Sequence, residues 1–177
     1  LNYLGRENDI IDMGDFLPPD PQLLEKKLEQ DPHISHVIVI HCETSSGILN
    51  PIKTISKIVK SFNRSLLIDS MSAFGAIPID CAEIEFDALV SSANKCIEGV
   101  PGFGFVLTKK SVLEKSKNNS HSLSLDLYDQ WKYMEEKGQW RFTPPTHAIL
   151  GFLSALKQHA SEGGVLGRLN RYEANKN

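Results

Sequence analysis

The sequence has few cysteines, and nothing in their spacing would join them. Only Cys42, Cys81 and Cys96 are cysteines among the 177 residues, an odd number without a C-x-x-C pair. This pattern argues against a disulfide framework and against a structural zinc site. No group of His, Cys, Asp and Glu residues has the spacing of metal ligands, so no metal is expected. We therefore expect a reducing compartment and predict the cytoplasm.

Long apolar runs and a strong charge of either sign are also missing. No apolar stretch approaches the roughly 20 residues of a membrane span, and residues 1–7 lack the basic and apolar regions of a signal peptide. The net charge is −3, with 41% hydrophobic and 23% charged residues. That balance gives no electrostatic reason to expect a nucleic acid or an anionic membrane as a partner. The length suits one domain with a substantial core.

Several familiar catalytic motifs are absent from the sequence. There is no G-x-S-x-G nucleophile elbow. Gly99, Gly102 and Gly104 lie close together, but they fit neither the G-x-G-x-x-G pattern nor the P-loop. We interpret these glycines as permissive backbone around Lys95 and as a tight return of the chain after it.

Apolar runs and capping residues predict an alternation of strands and helices. Strands buried on both faces are predicted at 37–40 and 66–68, with a short strand earlier at 10–15. Asp20-Pro21 and Asn50-Pro51 are typical helix starts. Such an alternation predicts parallel strands with right-handed crossovers.

The second half of the chain predicts a change of strand direction. A strand at 88–90 ends shortly before Lys95, and the strand at 102–108 follows after only a tight loop, so it should run antiparallel. The fold class is therefore α/β, with a mostly parallel sheet and one antiparallel strand. Further helices are predicted at 111–117, in the later part of 123–137, from 146 to Gly163-Gly164, and in the C-terminal tail.

Two predicted strands stop abruptly at a single charged residue. Leu66-Leu67-Ile68 ends at Asp69, and the second run ends in polar residues at Lys95. In α/β sheets, ligands bind at the carboxyl ends of the strands. A lysine that forms a Schiff base and an acid that faces a pyridine nitrogen are what pyridoxal phosphate (PLP) requires. The pattern predicts a PLP site, although Lys95 could also be an exposed strand-end lysine and Asp69 a turn or N-cap residue.

Four segments carry a resemblance to a known family. They are HCET at 41–44, IDSMS at 68–72, SSANKCIEGVPGFG at 91–104 and SLDLYDQW at 124–131. These segments resemble the 2-aminoethylphosphonate–pyruvate transaminases, which are class V, fold-type I PLP enzymes. The lysine-centred segment and the segment at 124–131 are specific to that family. The Asp-to-Lys arrangement alone would indicate only the larger superfamily.

The resemblance implies a fold and an extent. Residues 1–177 would form the large PLP-binding domain of a fold-type I aminotransferase, a three-layer α/β/α arrangement. Family enzymes are about twice this long, and their N-terminal phosphate loop and C-terminal small domain, with its substrate arginine, have no counterpart here. We therefore expect an incomplete domain, and a homodimer for the full-length enzyme.

The resemblance also implies cofactor contacts. Lys95 would form the Schiff base and act as the base in the proton shift, and Asp69 would hold the pyridinium. Thr44 would contact the cofactor ring, and Ser92 would donate to the cofactor phosphate. Thr143 would reach the phosphate bound in the other subunit. Thr44 could instead form a plain turn, and Thr143 could belong to an inert proline-rich linker.

Two further residues are candidate substrate ligands. Asn94 flanks the lysine and could contact the substrate. Arg141 could fork onto an anionic group of the substrate or the cofactor, but it could equally form a surface ion pair. His41 stands at the end of a buried strand, where a satisfied core histidine is the expected role.

The implied reaction moves the amino group of 2-aminoethylphosphonate to pyruvate, giving phosphonoacetaldehyde and L-alanine in phosphonate degradation. The partners are thus an amino donor and pyruvate. Another class V aminotransferase, of the alanine–glyoxylate or serine–pyruvate type, is the nearest alternative. A cysteine desulfurase is disfavoured, because that relative has a histidine directly before the lysine and this chain has Asn94. A catalytically inactive structural fragment is the alternative of a different class.

Overall fold

The computed structural model describes residues 1–176. Its elements, after a 3₁₀ turn at Asn2–Leu4, are α1 (Pro21–Gln30), β1 (His36–Ile40), α2 (Ile52–Ser61), β2 (Ser65–Asp69), β3 (Ala88–Ser92), β4 (Gly104–Thr108), α3 (Lys110–Lys115), α4 (Leu127–Lys137), α5 (Thr146–Ser161) and α6 (Gly164–Ala174).

The four strands form one mixed sheet in the order β1-β2-β3-β4. β1 pairs with β2, and β2 with β3, in parallel, while β3 and β4 are antiparallel. The predicted change of direction after the third strand is therefore confirmed. A connection as short as 93–103 cannot return the chain to the starting edge, so it can only form an antiparallel neighbour.

The core lies between one face of the sheet and the first two helices. Leu66, Ile68 and Leu89 are almost fully buried on this face, and their partners on the helices include Leu28 and Val59. α2 places its apolar residues on one side, which is how a surface helix covers a sheet. This packing fixes the strand ends that follow.

The opposite face of the sheet is partly open. Ile38 is 52% exposed, Ile40 40% and Val90 38%. The prediction that the run at 37–40 is buried on both faces is therefore wrong in this chain. A run of β-branched residues shows that a strand suits an apolar environment, but it does not say which parts of the molecule supply it. Of the three expected layers, residues 1–176 form two at these strands, namely the sheet and one layer of helices.

Two other local predictions differ from the structure. Residues 10–15 form no strand, and Ile10 is 71% exposed. Asp20 caps α1 as predicted, with its Oδ1 accepting from the Gln22 amide at 2.8 Å. Asn50 does not cap α2, because its Nδ2 donates to the Ile40 carbonyl at 2.8 Å instead.

The last two helices pack against each other, and α5 also packs against the β4 side of the sheet. The ring centroid of Phe152 in α5 lies 5.3 Å from that of Phe103 and 5.6 Å from that of Phe105. Across residues 1–176, no helix combines the length and the apolarity that crossing a membrane would need.

Candidate active site

The ends of three parallel strands meet at one edge of the sheet. Asp69 is the last residue of β2 and lies beside Ile40 of β1 and Val90 of β3. The backbone pairing continues into the loops, since the His41 amide donates to the Asp69 carbonyl at 2.7 Å. The loops that contain Thr44, Asp69 and Lys95 therefore start side by side.

Side chains then join these three loops to one another. Thr44 Oγ1 lies 2.6 Å from Ser72 Oγ, which ties the loop after β1 to the loop after β2. Cys96 Sγ donates to the Ser72 carbonyl at 3.3 Å, which ties the turn after β3 to the same residue. The structure thus joins the three loops that carry or follow Thr44, Asp69 and Lys95, with Ser72 as the common contact of Thr44 and Cys96.

Asp69 has one carboxylate oxygen engaged and one available. Its Oδ1 accepts from the Met71 amide at 2.9 Å, which is the turn role considered for this residue. Its Oδ2 makes no hydrogen bond with any residue from 1 to 176. The turn fixes the carboxylate and leaves an acceptor for a ligand, so the two roles suggested for Asp69 are compatible.

Lys95 lies in a tight turn between Ala93 and Gly99. The Glu98 amide donates to the Lys95 carbonyl at 2.7 Å, and the Gly99 amide donates to the Ala93 carbonyl at 2.8 Å. A Cβ at Gly99 would lie 2.7 Å from the Ala93 carbonyl oxygen, so this approach requires glycine. Lys95 is exposed, and within the described part of the chain its Nζ forms no ion pair.

Ser92 and Asn94 differ sharply in their surroundings. Strand alternation places the Ser92 side chain on the same face as Asp69. Ser92 is only 7% exposed, and its Oγ has no hydrogen-bond partner among residues 1–176. A buried hydroxyl without a partner is costly, which suits a site that completes its hydrogen bonds with a ligand. Asn94 is exposed beside Lys95.

Comparison with known proteins identifies the family. The sequence pattern of class-V aminotransferases matches residues 4–174. This chain belongs to the class-V aminotransferase family. The enzymes of this family depend on PLP.

Curated relatives of this class-V aminotransferase chain share one name. It is 59% identical over 176 residues to a 2-aminoethylphosphonate–pyruvate transaminase of Rhizobium meliloti (strain 1021), a match that covers 99% of this chain and 46% of the relative. It is 51% identical over 175 residues to the enzyme of that name from Syntrophobacter fumaroxidans (strain DSM 10017 / MPOB), covering 98% of this chain and 47% of the relative. The chain thus spans about half the length of these relatives.

Solved structures agree on the fold. Pyridoxamine–pyruvate aminotransferase from Mesorhizobium loti superposes with a TM-score of 0.73 at 28% identity, covering 81% of this chain and 38% of that one. Alanine–glyoxylate aminotransferase from Nostoc sp. gives a TM-score of 0.73 at 22% identity, covering 87% and 41%. The second likeness shows the fold alone.

Two predicted site residues of this class-V aminotransferase chain lie in the segment after α4. Arg141 donates to the Leu123 carbonyl at 3.0 Å and pairs with Asp129 at 3.0 Å, so its guanidinium is engaged as in the ion-pair alternative. Thr143 is exposed in the segment after α4. Among the described residues, no hydrogen bond joins Arg141 or Thr143 to the Lys95 turn. Their roles toward cofactor or substrate stay predictions.

Two buried, uncharged side chains, His41 and Cys96, make hydrogen bonds to the residues after β2. His41 is 2% exposed and its Nδ1 lies 3.0 Å from Ser70 Oγ, which confirms the expected core role. Burial lowers the pKa of His41, so the ring is neutral. Burial likewise raises the pKa of Cys96, which keeps the thiol protonated as a donor to Ser72. In the part of the chain that the structure describes, no cluster of three or more His, Cys, Asp or Glu residues could hold a metal ion.

Sequence reasoning missed the residues that hold the loops. Ser72 and Cys96 lie inside the recognised segments, but neither has a spacing that signals a contact. Arg168 and His159 contact the strand-end loops from 72 and 84 residues away. A lone arginine or histidine on a predicted helix gives no signal of such a contact.

Proposed function

We propose that this chain is the large-domain part, residues 1–177, of a PLP-dependent transaminase. The proposed reaction moves the amino group of 2-aminoethylphosphonate to pyruvate and yields phosphonoacetaldehyde and L-alanine. The observation that supports it best is the junction of the three strand-end loops, which carry an exposed Lys95 and an Asp69 carboxylate with one oxygen available. The 59% identity to a transaminase of that name supports the choice of substrates.

The residues present fit the cofactor. Bound PLP supplies an aldehyde that exchanges amines and a protonated ring that accepts electrons. Lys95 would hold the cofactor covalently and would hold or move a proton at its Nζ, which no neighbouring carboxylate among residues 1–176 engages. Asp69 Oδ2 would accept the ring N–H, and Ser92 Oγ, which is buried without a partner, would donate to the phosphate.

Three other residues have proposed roles at the site. Thr44, whose hydroxyl lies beside Ser72, would contact the cofactor ring. Asn94 is exposed next to the lysine and would contact the substrate. Arg141 would reach an anionic group only after leaving Asp129, an exchange of one carboxylate for another oxyanion.

We also propose a homodimer in which Thr143 reaches the cofactor phosphate of the partner. Support comes from the position of Thr143 in an exposed segment, next to the apolar side chains Trp140 (52% exposed) and Phe142 (47% exposed). Light scattering of the full-length protein would show a dimer. Thr143→Ala would weaken PLP binding without dissociating the dimer.

A cytoplasmic location is proposed as well. Cys42, Cys81 and Cys96 are all free thiols in the structure, as in proteins of reducing compartments. Fractionation of cells that produce the full-length protein tests this location.

The cofactor assignment is tested by trapping the lysine. The full-length protein is incubated with PLP, reduced with borohydride, and the modified lysine is located by mass spectrometry. We expect the label at Lys95, lost in Lys95→Ala and kept in Lys57→Ala, which removes an exposed lysine of α2. Labels scattered over surface lysines in the wild type would contradict the proposal.

The substrate assignment needs a separate measurement. The full-length protein is assayed with pyruvate as the acceptor and with 2-aminoethylphosphonate, L-alanine or L-serine as the donor, and with glyoxylate as the alternative acceptor. We expect the phosphonate to give the highest kcat/KM. A preference for alanine with glyoxylate, or for serine, would move the chain to another branch of the same family. Labelling at Lys95 without any turnover would favour a structural role.

A further inference from the structure

A buried arginine contacts the turn that carries the candidate lysine. Arg168 lies on α6 and is only 2% exposed. A charge that is removed from water must be paired and hydrogen-bonded, because its desolvation otherwise costs several kcal/mol. The partners of Arg168 therefore show what its burial achieves in this fold.

One side of the Arg168 guanidinium binds Glu162, and the other side binds the turn. Its Nε and Nη2 lie 2.8 and 2.7 Å from Glu162 Oε2. Its Nη1 donates to the Cys96 carbonyl at 2.7 Å and lies 2.9 Å from Glu98 Oε2. Because the guanidinium is planar and its donors are fixed in direction, binding to Glu162 also fixes Nη1.

The turn needs such a contact. Glu98 has a φ of +61°, a left-handed conformation that a residue with a side chain rarely adopts. Backbone of this kind persists where its surroundings over-determine it. Cys96 is held on two sides, by Arg168 at its carbonyl and by the Ser72 carbonyl at its thiol. Lys95 is the residue directly before this fixed peptide.

Arg171 offers a matched comparison within the same network. It binds the same two carboxylates, with Nε 2.6 Å from Glu162 Oε1 and Nη2 2.7 Å from Glu98 Oε1. Its side chain is 41% exposed, and it makes no hydrogen bond to the backbone of the turn within residues 1–176. Removing Arg171 thus disturbs the ion pairs and leaves the carbonyl contact of Arg168.

We propose that Arg168 is a positioning residue, whose hydrogen bond to the Cys96 carbonyl sets the direction in which Lys95 leaves its turn. As a statement about catalysis, this rests on the proposed function of Lys95 as the reacting amine. As a statement about the turn, it rests on the contacts alone. The two parts are tested by different readouts.

The first readout is amide hydrogen exchange in the full-length protein without added cofactor. The amides of Glu98 and Gly99 are hydrogen-bonded inside the turn, so their exchange reports its opening. We expect Arg168→Gln to speed their exchange at least tenfold. Arg168→Lys can pair with Glu162 but lacks the planar, directed donors of a guanidinium, so it should give an intermediate exchange rate. Arg171→Gln should stay within threefold of the wild type.

The second readout is turnover divided by the amount of bound PLP, which removes any effect of misfolded protein. We expect Arg168→Gln to lower kcat at least tenfold and to change KM for 2-aminoethylphosphonate less than threefold, because Arg168 holds the turn that carries the amine and is not proposed to touch the substrate. Arg168→Lys should recover part of kcat. A merely structural role would lower the amount of bound PLP and leave the corrected kcat unchanged.

The outcomes separate the two proposals. Wild-type exchange rates in Arg168→Gln, or equal effects of Arg168→Gln and Arg171→Gln, would overturn the role of Arg168. If the wild type is not labelled at Lys95, the proposed function fails, and exchange still decides whether Arg168 holds the turn. If Arg168→Gln does not fold, Arg168→Lys is compared with Arg171→Gln, and equal exchange in these two variants overturns the proposal.

Discussion

Replacing Gly75 by alanine should disturb the candidate site through one identifiable contact. Gly75 lies in the loop after Asp69 with a φ of +97°. An added Cβ would overlap with Ile97 Cδ1 and lie 3.1 Å from Ile97 Cγ1. Ile97 is 3% exposed and stands two residues after Lys95. Its side chain has little room to rotate away, because protein interiors are close-packed.

The expected cost has two parts. Alanine in a left-handed conformation costs about 1–2 kcal/mol. Forcing an extra carbon into a packed site costs about 1–3 kcal/mol, so Gly75→Ala should lower the free energy of unfolding by about 2–5 kcal/mol. Gly138→Ala is the matched control, since Gly138 has a φ of +65° at the end of α4 and a Cβ there would meet nothing within 4 Å. It should cost only the first part.

The assay combines thermal unfolding of the full-length protein with PLP trapping at Lys95. One kcal/mol lowers the melting temperature of a protein of 150–250 residues by about 2–4 °C and that of a longer protein by less, so Gly75→Ala should melt measurably below Gly138→Ala. It should also lose label at Lys95, because the displaced Ile97 belongs to the lysine turn. Equal melting temperatures for the two variants would refute the clash. A large loss of stability with full labelling would refute the coupling of the loop to the lysine.

Three further outcomes are expected from thermal unfolding. Leu89→Ala should lower the free energy of unfolding by about 2–5 kcal/mol, since Leu89 is 0% exposed, while Leu150→Ala at a 66% exposed position should change it by about 0.5 kcal/mol or less. The hydrogen bond from Arg171 lowers the pKa of Glu98 in the folded protein. The ionised Glu98 therefore stabilises the fold above pH 4.5, and this stabilisation is lost as the pH falls below that value. Glu98→Gln should remove this pH dependence. Burial lowers the pKa of His41, so stability should also fall as the pH drops below 6.5, less so in His41→Gln.

The sequence predicts well whatever depends on local pattern. Short apolar runs that end in polar residues marked the ends of β2 and β3, and the side chains at or just after those ends, Asp69 and Lys95, carry the proposed chemistry. The tight loop after Lys95 predicted the antiparallel β4, because chain length alone excludes a crossover there. These predictions hold because each depends on residues within about ten positions of one another.

The exposed sheet face shows where local pattern stops being informative. The β-branched run of β1 has the composition of a strand buried on both sides, yet Ile38 and Ile40 are exposed in this chain. The two helix starts make the same point. Asp20 and Asn50 both precede a proline, but only Asp20 caps its helix, because the Asn50 amide is drawn to the Ile40 carbonyl. The local sequence pattern does not show which group outside the helix start competes for a side chain.

Two contacts that hold the candidate site join residues far apart in the sequence, which local pattern does not predict. His159 Nε2 donates to the Gly75 carbonyl at 2.6 Å from α5, and Arg168 Nη1 donates to the Cys96 carbonyl at 2.7 Å from α6. One helix thus holds the loop after Asp69, and the other holds the turn of Lys95. Because α5 and α6 pack against each other, a movement of the pair would carry both loops in the same direction. The amine and the carboxylate on which the proposed chemistry depends therefore lie next to backbone that is held by two side chains which do not touch the reacting groups.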